Sequence, residues 1–104
     1  MNPERGHVRL DLNSPSFQSR LFDLQKDQQR SVLTTLRKLS EMTWDQVYRD
    51  AGLKWESVSS QTGPKGEPLY SLRMGKGFRA LAYRDGNWMR LHSLHPDHDS
   101  AYER

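Results

Sequence analysis

The chain has 104 residues, a formal net charge of +3, 28% charged and 34% hydrophobic residues, and no cysteine. That length suits one domain, residues 1–104, burying about two-thirds of its unfolded surface, and the lack of cysteine excludes disulfides, thiolate zinc sites and cysteine nucleophiles. No run of about 18 apolar residues and no signal-peptide pattern follows Met1, so the expectation is a cytoplasmic protein with no membrane span.

Along the chain, Val8, Leu10 and Leu12 alternate with Arg9 and Asp11, which reads as a first strand over residues 7–12. Ser14-Pro15 is a helix start, with Ser14 as N-cap and Pro15 at the first helical position. Phe17, Leu21 and Leu24 then give an apolar stripe on a helix over 15–26. Asp27 is a candidate second cap, and Val32, Leu36 and Leu39 line a helix ending near Met42. Thr43 and Gln46 have capping-box spacing, so a short helix is expected from Trp44 to Ala51, stopped by Gly52, with Trp44, Val47 and Tyr48 on its buried side. Residues 54–58 suit a short edge strand, and 59–68 are rich in turn formers.

Residues 69–95 form three alternating runs split by Gly75-Lys76-Gly77 and Asp85-Gly86-Asn87, the pattern of a β-meander. A two-residue loop at Asp85-Gly86 would set Tyr83 opposite Trp88 and Arg79 opposite His92. A three-residue loop at 75–77 would set Met74 opposite Phe78 and Arg73 opposite Arg79. One face then carries Tyr70, Leu72, Met74, Phe78, Ala80, Ala82, Met89 and Leu91, a core. The other carries Arg73, Arg79, Arg90 and His92, flanked by Leu81, Tyr83 and Trp88. A one-residue slip would bury the cations, which favours this arrangement. The order of elements implies an α+β domain, with an N-terminal strand, a helical hairpin and a short third helix packed on one face of a small antiparallel sheet. The other face is expected to be open and charged.

Cross-strand neighbours lie about 4.5–5.5 Å apart at Cβ, so Arg73 beside Arg79 is a like-charge pair. Two readings fit it: a phosphate site, since guanidinium binds phosphate bidentately, or a solvated face whose arginines pair with carboxylates. Tyr83 and Trp88 suit base stacking or packing against a loop. His92, His95 and His98 have H-x-x-H-x-x-H spacing. Residues i and i+3 of a strand point to opposite faces, which disfavours a shared metal; acid–base work suits the histidines better. On a helical tail, His98 and Tyr102 would share a face.

The order of Tyr70-Ser71-Leu72-Arg73, Gly77-Phe78-Arg79 and a terminal Tyr102, behind a strand and a helical hairpin, resembles the RelE/ParE superfamily of toxins from type II toxin–antitoxin systems. The resemblance covers nearly the whole chain; the segments Trp44–Ala51 and Leu53–Val58 fall outside the minimal family pattern. It implies a ribosome-dependent mRNA endoribonuclease that needs no cofactor, in which the 2′-hydroxyl attacks the adjacent phosphate. By position, Arg79 matches the arginine that stabilises the phosphorane, Arg73 a basic residue of the preceding strand, and Tyr102 the terminal tyrosine. His95 or His98 falls at the basic residue of the last segment, and Ser71 stands where RelE has a lysine. Arg90, His92, Tyr83, Trp88 and Lys76 are the candidates for RNA contact. The implied partners are a cognate antitoxin, mRNA and the ribosome, with no membrane and with DNA contact only through an antitoxin complex. Two alternatives stay open: a ParE-like inhibitor of DNA gyrase, and a non-catalytic RNA- or protein-binding module of the same fold.

Overall fold

The computed structural model describes residues 6–96. Within them the order is β1 (Arg9–Asp11), α1 (Pro15–Asp23), α2 (Lys26–Ser40), α3 (Trp44–Arg49), β2 (Glu56–Thr62), β3 (Pro68–Gly75), β4 (Phe78–Asp85) and β5 (Trp88–His95). The strands make one sheet in the order β1-β5-β4-β3-β2. The β1–β5 pair is parallel and the rest are antiparallel, so the α+β expectation holds with one parallel edge strand added. No helix among the described residues is long and apolar enough to cross a membrane.

The helices start where local chemistry dictates. Ser14 Oγ accepts from Phe17 N at 3.3 Å, ahead of Pro15. Thr43 and Gln46 close a reciprocal capping box, at 3.2 and 2.9 Å. The second helix begins two residues earlier than expected, with Asp27 in its first turn rather than at its cap; Gln28 Oε1 accepts from Gln25 N instead. The apolar stripes Phe17, Val32-Leu36-Leu39 and Trp44-Val47 pack on Leu72, Met74, Phe78, Ala80, Ala82, Met89, Leu91 and Leu94. Each fully buried side chain of this size contributes about 1.5–3 kcal/mol. Tyr48 is a correction: it is 51% exposed, because the six-residue helix buries only the Trp44–Val47 side.

The second hairpin turns at Gly86-Asn87, not Asp85-Gly86. Gly86 takes φ +63° while Asn87 keeps a negative φ, so glycine occupies the first central position, as in a type II′ turn. Tyr83 therefore stands opposite Arg90, and Asp85 opposite Trp88. This moves the register by two residues, which preserves every face. The pairing then changes from Ala82–Leu91 to Leu81–Ser93, leaving His92 as a bulge. Leu91 and Leu94 both enter the core, and a three-residue spacing allows that on a strand only with one extra residue. Beyond the bulge, Arg79 meets His95 rather than His92. The first hairpin also turns on two residues, Lys76-Gly77, so Phe78 stands opposite Gly75 and Met74 becomes the irregular position.

The face away from the helices is partly covered, which corrects the expectation of an open face. Glu56–Thr62 forms a full strand where only its beginning was expected. Val58, Leu69 and Leu81 make a second buried cluster with Tyr83 against it.

Gly75 is the tightest point of the first hairpin. A Cβ there would lie 2.6 Å from the Phe78 ring and 3.0 Å from Ser31 Cβ. Gly75→Ala should therefore lower stability by about 1–3 kcal/mol through overpacking, measured by urea denaturation against the parent chain.

Candidate functional site

Three strands set the site. Arg73 on β3 stands opposite Arg79 on β4, and Arg79 stands opposite His95 on β5. The register thus places Arg73, Arg79 and His95 in one row across the sheet, on the side away from the helices. Arg79 is only 4% exposed. Its Nε and Nη2 donate to Ser71 Oγ at 3.3 and 3.0 Å, and Nη2 also donates to the Lys54 carbonyl at 2.9 Å. Arg73 is exposed and borders a groove of about 520 Å³ with Lys38, Leu53, Lys76 and Gly77. Lys76 therefore lies beside the row, not among the other candidates for RNA contact.

Those others gather elsewhere. Tyr83, Arg90 and His92 line a smaller cleft of about 240 Å³ together with Pro64 and Ser14. Arg90 is committed within it, forming ion pairs with Asp11 and, at 3.1 Å, with Asp85. The hydrogen bonds that Arg90 donates to these carboxylates raise its pKa, while the amide of Asn13 and then Arg90 pull that of Asp11 down. The Trp88 ring carries the guanidinium groups of Arg9 and Arg90 at 4.7 and 5.4 Å from its centroid. Tyr83 packs against the β2–β3 loop, whose Gly63 has its Cβ direction 3.4 Å from the Tyr83 ring. Burial, and then Glu67, raise the Tyr83 pKa. The loop-packing reading of Tyr83 thus matches its surroundings. His98 and Tyr102 lie outside the described residues.

The arginines of the cationic face differ in their partners. Arg90 pairs with two carboxylates, as a solvated charged face would have it. Among the described residues, neither Arg73 nor Arg79 forms an ion pair. Opposed cations without a counter-ion suit an anionic guest. Two neighbours of the row went unnoticed as site residues in the sequence. Ser93 Oγ lies 2.9 Å from His95 Nε2, and the Lys54 carbonyl reaches Arg79. Ser71 and Arg79 share a face by strand alternation, so their contact was readable; the Lys54 contact depends on a backbone turn that no spacing announces. Among the described residues, no group of three or more His, Asp or Glu side chains is placed to hold a metal ion.

Comparison with known proteins bears on the fold. No family model matches the chain, and no curated protein matches it in sequence. Among solved structures, the chain is similar to one from an archaeal RelE–RelB complex of Pyrococcus horikoshii OT3. The TM-score is 0.62 at 16% identity, over 86% of this chain and 94% of that one. The fold is RelE-like. A copper-bound mutant toxin from Helicobacter pylori is a looser likeness, with TM-score 0.45 and 18% identity over 85% of this chain and 92% of that one. In the RelE-like fold seen here, the row of Arg73, Arg79 and His95 crosses β3, β4 and β5 at the helix-free face.

Burial, followed by the charges of Arg20 and His92, holds the His95 pKa below its ordinary 6.5. The native state therefore favours neutral imidazole. Its contribution to stability is complete above the unfolded-state value and is lost as pH falls through the lower native value. His95→Gln should flatten the decline in melting temperature between about pH 7 and pH 5, read by thermal scans in matched buffers; an unchanged slope would show that His95 does not carry it.

Proposed function

We propose that this chain is the toxin of a type II toxin–antitoxin pair and cuts mRNA at the ribosome. The observation that supports this most directly is the Arg73–Arg79 pair, opposed across β3 and β4 with no carboxylate on either among the described residues. The RelE-like fold supports the toxin class and an antitoxin partner. In the proposed reaction, the ribose 2′-oxygen bonds to the adjacent phosphorus and loses its proton to a base. The P–O5′ bond breaks, and the departing 5′-oxygen takes up a proton. The products are a 2′,3′-cyclic phosphate and a 5′-hydroxyl end, with no redox partner and no metal required.

The residues suit separate parts of this step. Negative charge builds on the nonbridging oxygens, and a guanidinium held in place beforehand stabilises that charge more than it stabilises the ground state. Neutral His95 is a proton acceptor, which makes it the candidate base. His98 or Tyr102 would then supply the proton to the leaving oxygen. Arg73 and Lys76 border one groove and would hold the flanking phosphates.

Purified chain added to a ribosomal translation reaction should cut a defined mRNA, leaving 5′-hydroxyl ends detectable by primer extension. Prior stripping of the protein with a chelator should leave the rate unchanged. Arg73→Ala, at an exposed position, should lower cleavage by about 10²-fold while the fold is kept. Parental cleavage by that variant would sink the site assignment. Loss of DNA supercoiling with mRNA intact would point to gyrase inhibition instead, and inert but folded protein would favour a binding module.

A further inference from the structure

The guanidinium of Arg79 is held along one edge only. Its Nε and Nη2 form a fork onto Ser71 Oγ, and the second Nη2 hydrogen goes to the Lys54 carbonyl. That accounts for three of the five guanidinium donors. The Nη1 group makes no hydrogen bond among the described residues. It is not sealed off, because the one buried side-chain polar atom without a partner among them is Nδ1 of His7. Both acceptors on the held edge are neutral. Ser71 is fully buried on β3, on the same sheet face as Arg79. Lys54 is the one non-glycine among the described residues with positive φ, at +52°. Its neighbour Leu53 is fixed on both sides: its amide donates to Asp50 Oδ1 at 3.0 Å, and its carbonyl accepts from Arg73 N at 2.7 Å.

We infer that Ser71 and the Lys54 carbonyl form a socket that fixes the plane of the Arg79 guanidinium and presents its Nη1 group to the anion at the site. Both are positioning residues. They act through Arg79, and this role rests on the function proposed above. A carboxylate in either place would hold Arg79 as firmly but would neutralise it. A hydroxyl and a carbonyl hold the geometry and leave the positive charge uncompensated.

The test uses the full chain and two readouts. By nitrogen-15 NMR, the parent should show one arginine Nε–H that exchanges slowly with water near neutral pH, assigned to Arg79 by its loss in Arg79→Lys. Ser71→Ala should speed that exchange at least tenfold, and Ser71→Thr, which keeps the hydroxyl, should restore protection. In the ribosomal cleavage assay, Ser71→Ala should lower kcat about tenfold or more with little change in KM, as a misplaced group does, and Ser71→Thr should recover most of it. Unchanged exchange in a folded Ser71→Ala protein overturns the socket, as does cleavage at the parental rate. If the parent cuts no mRNA, the functional reading fails, and the exchange rates still decide whether the socket exists.

Discussion

The first five residues of β4, Phe78–Ala82, are buried on both faces of the sheet, and the rest of the molecule is arranged around that fact. Phe78, Ala80 and Ala82 enter the core under the helices, while Arg79 and Leu81 are covered on the other side. That stretch, unlike the exposed Arg84 and Asp85 at the end of the strand, has no solvent face on which to leave a charge. Burying an unpaired ion costs several kcal/mol even after relaxation, so a cation in the middle of β4 must be hydrogen-bonded. Arginine suits the position because its five donors can be shared among several acceptors and its charge cannot be titrated away. The Lys54 backbone adopts a left-handed conformation that costs about 1–2 kcal/mol for a non-glycine residue, and its carbonyl is one of those acceptors.

Two irregular positions bracket the row built on that strand, and a helix hydroxyl is bonded to each. In β5, the His92 bulge lets Leu91 and Leu94 share the core, and its carbonyl accepts from Ser14 Oγ, the cap of α1, at 2.8 Å. In β3, the register shifts at Met74, whose carbonyl accepts from Thr35 Oγ1 of α2 at 3.2 Å. Without the first irregularity, His95 would lie on the helix side and Leu94 on the outer face. The composition of the row is therefore a consequence of helix packing as much as of strand pairing, because the same contacts that seat α1 and α2 also hold the bulges.

The core was largely readable in the sequence, and the site only in part. Apolar periodicity located Phe17, Val32, Leu36, Leu39, Trp44 and Val47, and alternation located Leu72, Ala80 and Met89, because each signal is local and each element hides one face. The Arg73–Arg79 pairing was expected from a three-residue loop at 75–77, and the structure reaches the same pairing through a two-residue turn at Lys76-Gly77 and a register shift at Met74. The β5 partner of Arg79 was not readable, since it depends on a bulge that only the shared burial of Leu91 and Leu94 requires. Tyr48 misled because a two-turn helix presents three aromatic or apolar side chains but has core beneath only two. The full length of β2 beside Leu81 was not expected, because Ser59 and Ser60 read as loop although they belong to that strand.

Net charge says little about such a surface, and the distribution of counter-ions says more. Arg90, Arg37 and Lys38 each have a carboxylate within ion-pair reach, and an exposed pair of this kind contributes about 0–1 kcal/mol. Arg73 and Arg79 have none among the described residues, although they face each other on adjacent strands. Like charges in that position oppose folding, so the arrangement lowers stability in the empty state. In the function proposed above, RNA phosphates beside these arginines would offset that cost, because guanidinium–phosphate contacts are charge-assisted. The acceptors that hold Arg79, the Ser71 hydroxyl and the Lys54 carbonyl, are neutral, so they satisfy its donors without cancelling its charge.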